Sequence, residues 1–214
     1  MPSTDSTFKI QNSTLLFLDL LPPGQCLSTL PDGANRTDPA GLLYRLKFRS
    51  EIACADELAA MMHNTITQPG HEFRAGANLV FARPDDHEPL SDGHCVKTAG
   101  FHVDLVVPVP ATEQRPIQPA YEIAARLAEL MGIPCLHALA KARAYPALKH
   151  ISSPDERAHL IHGAIRVCDH VLVKGQRVLL LDDVVISGST LQECSRALVE
   201  AGAAAVINAC VLRR

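Results

Sequence analysis

Hydrophobic residues recur along the carboxyl-terminal half in short continuous runs separated by helical stripes, which is the spacing of alternating strands and helices. Val178, Leu179, Leu180 and Leu181 follow one another without a polar break, as expected for a parallel strand covered on both faces. Behind them Leu191, Cys194, Leu198 and Ala201 form one helical face, closed by Gly202 as a C-cap, and Thr190 with Glu193 has the spacing of a capping box. Upstream, Phe101 to Val109 reads as a strand through Val103, Leu105, Val106 and Val107. It is followed by a helix begun by Pro119, striped by Ile123, Leu127, Leu130 and Met131, and ended by Gly132. Ile133 to Leu139 is a third strand of this half, and Thr14 to Leu20 a further strand near the amino terminus. From Gly41 to about Asn64 a helical pattern offers one or two buried faces, while residues 22–39 and 68–100 are rich in turn-forming residues around a short strand near Asn78 to Ala82. The order predicts an α/β fold: a mainly parallel sheet flanked by helices, Rossmann-like, in a single domain over residues 1–214. Residues 1–100 form a helical and loop extension acting as a hood, and residues 101–214 form the binding core.

The chemistry concentrates just after the longest apolar run. Asp182 and Asp183 fall at the carboxyl end of that strand, where open α/β sheets bind ligands. Ser187-Gly188-Ser189-Thr190 then makes a glycine turn into a helix start, whose unpaired N–H groups and positive dipole end suit one anionic group the size of a monophosphate. Taken alone, two acids after a strand also fit an ordinary strand end, a metal pair or an aspartyl-phosphate site. Strand, turn and helix together favour a phosphorylated sugar.

The stretch from Arg177 to Leu191 resembles the phosphoribosyl pyrophosphate (PRPP) loop of the type I phosphoribosyltransferases: four apolar residues, two acids, two apolar residues, then small hydroxyl residues around a glycine and a threonine. The resemblance implies that Asp182 and Asp183 hold the ribose 2- and 3-hydroxyls. Val184, Ile186, Ser187, Gly188, Ser189 and Thr190 would complete PRPP binding, the turn taking the 5-phosphate. Ile186 stands where many members carry Thr, Asp or Ala, so no side chain there can deprotonate a base. Asp104 to Pro110 (Asp-Leu-Val-Val-Pro-Val-Pro), Glu156-Arg157 followed by Gly163-Ala164-Ile165, and Gly41 to Arg49 (Gly-Leu-Leu-Tyr-Arg-Leu-Lys-Phe-Arg) are similar to the ComF-like branch, over residues 40–214. Lys149 and Leu160 replace its usual glutamine and asparagine, and its amino-terminal zinc ribbon is missing.

On this resemblance the chain is expected to be an enzyme that displaces pyrophosphate from C1 of PRPP with a nitrogen acceptor through an oxocarbenium-like state. Asp182 and Asp183 would act with Arg115, Lys141 and Arg143, the three cations facing the departing pyrophosphate, each well-aimed interaction contributing about 3 kcal/mol. Mg²⁺ would arrive bound through PRPP, since it keeps several waters and needs no protein cage. Residues 144–162 would close as a lid that excludes water. The departures at Lys149, Leu160 and Ile186 also admit a non-catalytic PRPP-sensing or competence-type accessory protein of the same fold. The acceptor is not legible, and neither is the oligomeric state, although homodimers are common in proteins of this kind.

Composition narrows the classes further. The 214 residues carry a net charge of −3, which argues against general nucleic-acid binding. No run approaches the ~20 apolar residues that span a bilayer, so a soluble cytoplasmic protein is expected, without a membrane partner. The seven cysteines are scattered singly with no Cys-x-x-Cys spacing and read as buried reduced thiols, and no metal is assigned to the protein alone.

Overall fold

The computed structural model describes residues 15–19, 37–67, 72–76, 96–97, 103–113, 115–145, 151 and 153–213. Eight strands and five helices follow in the order β1 (Leu15–Asp19), α1 (Pro39–Arg49), α2 (Ala53–Thr67), β2 (Glu72–Gly76), β3 (Val96–Lys97), β4 (Leu105–Pro108), α3 (Pro119–Met131), β5 (Leu139–Lys141), α4 (Pro154–Ile161), β6 (Ile165–Val167), β7 (Arg177–Val185), α5 (Ser189–Glu200) and β8 (Ala205–Arg213). Six strands make one sheet in the order β3-β2-β1-β8-β7-β4, and β5 with β6 makes a separate antiparallel pair. The links β1–β8, β8–β7 and β7–β4 are parallel, while β2 and β3 add antiparallel strands at the far edge. The expected mainly parallel sheet flanked by helices is what the chain forms.

β7 is central because its side chains alternate between two apolar layers. Leu179 and Leu181 join the layer containing Leu42, Leu46, Leu58, Met62, Ile123 and Leu127 of α1, α2 and α3. Val178 and Leu180 join the opposite layer, with Leu191, Cys194 and Leu198 of α5. An uninterrupted apolar run therefore suits this strand where strict alternation would not. Because α3 follows β4 and α5 follows β7, and these helices lie on opposite faces, the chain winds outward in opposite directions from the β4–β7 boundary. Such a reversal leaves a crevice beyond the carboxyl ends of the two strands. β4 ends at Pro108, paired with Leu181, whereas β7 runs four residues further with only β8 beside it. The acids expected at the end of β7 thus lie within the strand, two to three residues before its end, on the side where β4 has stopped.

Several boundaries differ from the expectation for local reasons. The helical pattern from Gly41 breaks into α1 and α2 at Ser50, whose φ of 57° is left-handed and whose N–H closes α1 on the Arg45 carbonyl. Ile133 to Leu139 is not a strand: it touches β4 through one parallel bridge, Val106 with Cys135, because Pro134 offers no N–H to a ladder. Strand structure begins at Leu139 instead. The strand expected from Phe101 starts at Leu105, residues 101–102 lying outside the described residues. Residues 1–100 are more than a helical and loop extension. They give β1, β2 and β3 to the sheet and lay α1 and α2 over one face, while the short strand expected near Asn78 to Ala82 lies outside the described residues. Of the thiols, Cys54, Cys194 and Cys210 are buried, Cys135 is half-buried and Cys168 is exposed, so the buried-thiol expectation fails at Cys168. Cys26 and Cys95 lie outside the described residues.

Leu181 is fully buried directly before the acid pair. Leu181→Ala should cost about 2–5 kcal/mol in urea unfolding, the range for emptying a leucine site in a packed core. A loss below about 1 kcal/mol would contradict the two-layer packing of β7.

Candidate functional site

Where β4 ends, the backbone of β7 loses its neighbour, and its N–H groups need other acceptors. Asp182 supplies one for the Asp183 N–H, which is on the same side as the Leu181 carbonyl that meets Val109, and Asp183 serves the next N–H, on the β8 side. Asp182 Oδ1 accepts from the Asp183 N–H at 2.8 Å, and Asp183 Oδ1 accepts from the Val184 N–H at 2.9 Å. The second oxygen of Asp183, Oδ2, takes the ammonium of Lys47 at 2.5 Å. Burial, and then the neighbouring Asp183 charge, hold the Asp182 carboxyl well above the usual carboxylate range, with Lys47 pulling the other way.

After Val185 the chain turns sharply. Gly188 has φ 77°, a left-handed conformation that a side chain would strain, and serves as N-cap of α5. Ser187 Oγ and Ser189 Oγ lie 3.0 Å apart across the turn. The expected capping box does not form, because α5 starts at Ser189 and Glu193 is engaged elsewhere. Its carboxylate, nearly fully buried, accepts from the Gly163 N–H at 2.8 Å and pairs with Arg196 at 2.6 Å, charge-assisted bonds that outweigh a return to the first turn. Gly163 follows α4, so Glu193 ties the end of α4 to the helix that opens the turn.

A cavity forms at this junction. It is lined by Asp182, by every residue from Val184 to Leu191, and by Arg157 of α4. Arg157 is steadied by Nε donating to the Ile151 carbonyl at 2.5 Å. The wall therefore combines a carboxyl, two serine hydroxyls, a threonine, the amino-terminal turn of a helix and one guanidinium. This donor-rich set suits an anionic group beside hydroxyls.

The residues expected from sequence separate into two groups. Asp182, Val184, Ile186, Ser187, Gly188, Ser189 and Thr190 share the cavity wall, and Asp183 stands next to it. The three cations do not line it. Arg115 pairs with Glu113 at 2.7 Å and lies 5.7 Å from the Phe48 ring centre. Lys141 donates to the Thr112 carbonyl at 3.1 Å, which binds it to the loop after β4, and burial lowers its pKa. Arg143 donates to the Leu160 and His162 carbonyls at 2.9 and 2.8 Å, at the negative end of α4. Residues 146–150, including Lys149, and residue 152 lie outside the described residues.

Two cations at the site received no role from sequence. Lys47 sat within the α1 stretch that carries the ComF-like resemblance, but its partner is 136 residues away. Arg157 belonged to a quoted signature whose spacing does not reveal what it faces. Among the described residues no group of three or more His, Cys, Asp or Glu side chains could hold a metal ion. No helix among them is long and apolar enough to cross a membrane.

Comparison with known proteins identifies the family. The family model for the phosphoribosyl transferase domain matches residues 94–214, more than half of the chain, and the chain belongs to that family. It is 28% identical over 200 residues to the DNA utilization protein YhgH of Escherichia coli, covering 90% of this chain and 74% of that protein. This long match agrees with the ComF-like resemblance. It is 31% identical over 70 residues to the orotate phosphoribosyltransferase of Bartonella henselae, covering 33% of this chain. The chain spans only 36% of that relative's length. Among solved structures, the glutamine phosphoribosylpyrophosphate amidotransferase of B. subtilis aligns with a TM-score of 0.37 and 26% identity, over 51% of this chain and 22% of that one.

The raised Asp182 pKa sets a pH dependence. The folded chain holds this proton more tightly than the unfolded chain, where an aspartate titrates near ~3.9, so the stability involved is full at acid pH and lost as pH rises through the folded value. Asp182→Asn keeps an acceptor for the Asp183 N–H and removes the charge. Its thermal midpoint should exceed that of the wild type at about pH 8, the gap closing towards about pH 4. A gap independent of pH would assign the change to packing.

Proposed function

We propose that this member of the phosphoribosyl transferase domain family binds PRPP together with Mg²⁺ and transfers its phosphoribosyl group to a nitrogen acceptor, releasing pyrophosphate. The observation that carries this reading is one cavity whose wall holds both Asp182 and the Ser187–Thr190 turn at the open end of β7. A ribose 5-phosphate unit presents two vicinal hydroxyls at one end and a dianionic phosphate at the other. The acid pair accepts from the hydroxyls, and the turn with the start of α5 donates to the phosphate. Ionised carboxylates only accept hydrogen bonds, which makes them partners for hydroxyls and poor partners for phosphate.

Mg²⁺ belongs to the substrate in this reading. With Lys47 already on Asp183 and no cluster of three donor side chains among the described residues, the donor set suits a cation that arrives on the diphosphate. Arg115, Lys141 and Arg143 remain the cations proposed for the departing pyrophosphate. The Lys141 bond to Thr112 gathers two of them around the loop after β4, while Arg143 must give up the carbonyls at the end of α4. Arg157 adds a guanidinium from the cavity wall.

A second reading has its own support. The match that extends over most of the chain is to a protein named for DNA utilization, and none of the three pyrophosphate cations lines the cavity. A PRPP-binding accessory protein would keep the acid pair and turn without needing those cations aimed.

Calorimetric titration with PRPP, with and without Mg²⁺ and with ribose 5-phosphate as control, tests the ligand. Saturable Mg²⁺-dependent binding of PRPP is expected. The folded double variant Asp182→Asn with Asp183→Asn should bind at least about 100-fold more weakly, given about 1.5–3 kcal/mol for each lost charged hydrogen bond. Unchanged affinity in that variant would falsify the ribose assignment. Pyrophosphate release with any nucleobase or amine supports the enzyme, and binding without turnover across the panel supports the accessory reading.

A further inference from the structure

Two adjacent carboxylates in a shielded strand repel each other, and the ligand proposed for them is itself an anion. Lys47 stands at that junction. Its ammonium lies 2.5 Å from Asp183 Oδ2, and the two side chains are only 19% and 16% exposed. It comes from α1, ahead of residues 94–214 that the family model matches. An ion pair between freely solvated side chains contributes little, but a shielded one beside a second acid offsets a real repulsion.

We propose that Lys47 is a positioning residue of the sugar site: its ammonium holds the Asp183 carboxylate in place and supplies the positive charge that lets two neighbouring acids receive sugar hydroxyls side by side. This role rests on the PRPP reading of the cavity. It makes α1 part of the site, and it gives a hydroxyl-bearing anion a site whose negative charge is smaller by one than the acids alone would present.

Other ionisable groups around the pair do not substitute for Lys47. Cys194 of α5 is pushed well up by burial, and burial takes the Tyr145 phenol after β5 up to about 12, so neither changes charge near neutral pH. Glu193 of α5 is held by Arg196 and the Gly163 N–H, with His162 3.7 Å beyond it. Arg157 of α4 lines the cavity with its Nε on the Ile151 carbonyl rather than on either acid, and Cys210, the register partner of Asp182 on β8, is a buried thiol. Without Lys47 the Asp182 carboxyl binds its proton more tightly, and the pH above which it accepts a hydroxyl must rise.

The test is calorimetric titration of the full chain with PRPP and Mg²⁺ from about pH 5.5 to about pH 8.5, comparing midpoints between variants so that titration of PRPP itself cancels. Lys47→Met should bind about tenfold more weakly near pH 7.5 with its midpoint moved up by about one pH unit, and Lys47→Arg should restore both. A weaker Lys47→Met with an unmoved midpoint would reduce Lys47 to a structural contact and overturn the proposal. Should Lys47→Met not fold, Lys47→Gln takes its place. Failure of both to fold while Lys47→Arg folds would assign the lysine to stability and equally overturn it. A wild type that binds no PRPP at any pH sinks the ligand reading beneath, an outcome distinct from those.

Discussion

Placing two carboxylates side by side in a strand sandwiched between helical layers is the constraint from which the rest of the site follows. Each charge loses water, and each raises the free energy of the other. The chain offsets this locally and at a distance. Locally, each acid accepts the N–H of the residue after it, and the Asp183 N–H lies on the edge that β4 abandons. At a distance, α1 delivers Lys47 to Asp183. Among the described residues Asp182 receives no comparable cation, and its carboxyl stays raised. A binding site that stabilised both acids fully would have less to gain from a ligand's donors.

The opening exists because β4 and β7 end at different heights at the point where the sheet reverses its winding. α3 covers one face and α5 the other, so the crevice lies beyond Pro108, where Asp182 to Val185 continue alone beside β8. Gly188 then turns the chain so that the start of α5 faces back into the crevice. Glu193 completes the enclosure. Its bond to the Gly163 N–H fixes the end of α4 against α5, and α4 carries Arg157 to the cavity wall. Sheet reversal, strand overhang, turn and tether are successive conditions for one cavity, and each depends on the one before.

Legibility in sequence followed locality. The unit from β7 through the turn to α5 was readable because apolar run, acids, glycine and helical stripe are contiguous, and seven of the nominated residues share the cavity wall. Contacts between distant segments were not readable. Thr190 and Glu193 have capping-box spacing, yet the buried carboxylate finds Arg196 and Gly163, a choice made by tertiary packing that spacing cannot encode. Ser50 looks unremarkable within a helical pattern until its left-handed φ splits α1 from α2. Pro134 could have warned against a strand at Ile133 to Leu139, since a missing N–H limits pairing wherever it falls. The cations Arg115, Lys141 and Arg143 were nominated by resemblance, and each has a nearer partner that sequence distance concealed.

The reach of Lys47 bears on which part of the chain is the functional unit. The family model begins at residue 94, after α1 and α2, and describes the segment that holds the acids and the turn. The cation that balances those acids lies outside it. The match to YhgH covers 90% of the chain, and any continuous span of that extent includes α1. The 70-residue match to the orotate enzyme is too short to contain both Lys47 and Asp183, which are 136 residues apart. Relatives of the second kind can share the acids and the turn without sharing how their charge is balanced. Charge balance governs how anionic a ligand the acids tolerate and at what pH, so a relative matched over the long span is the sounder guide to what this site accepts.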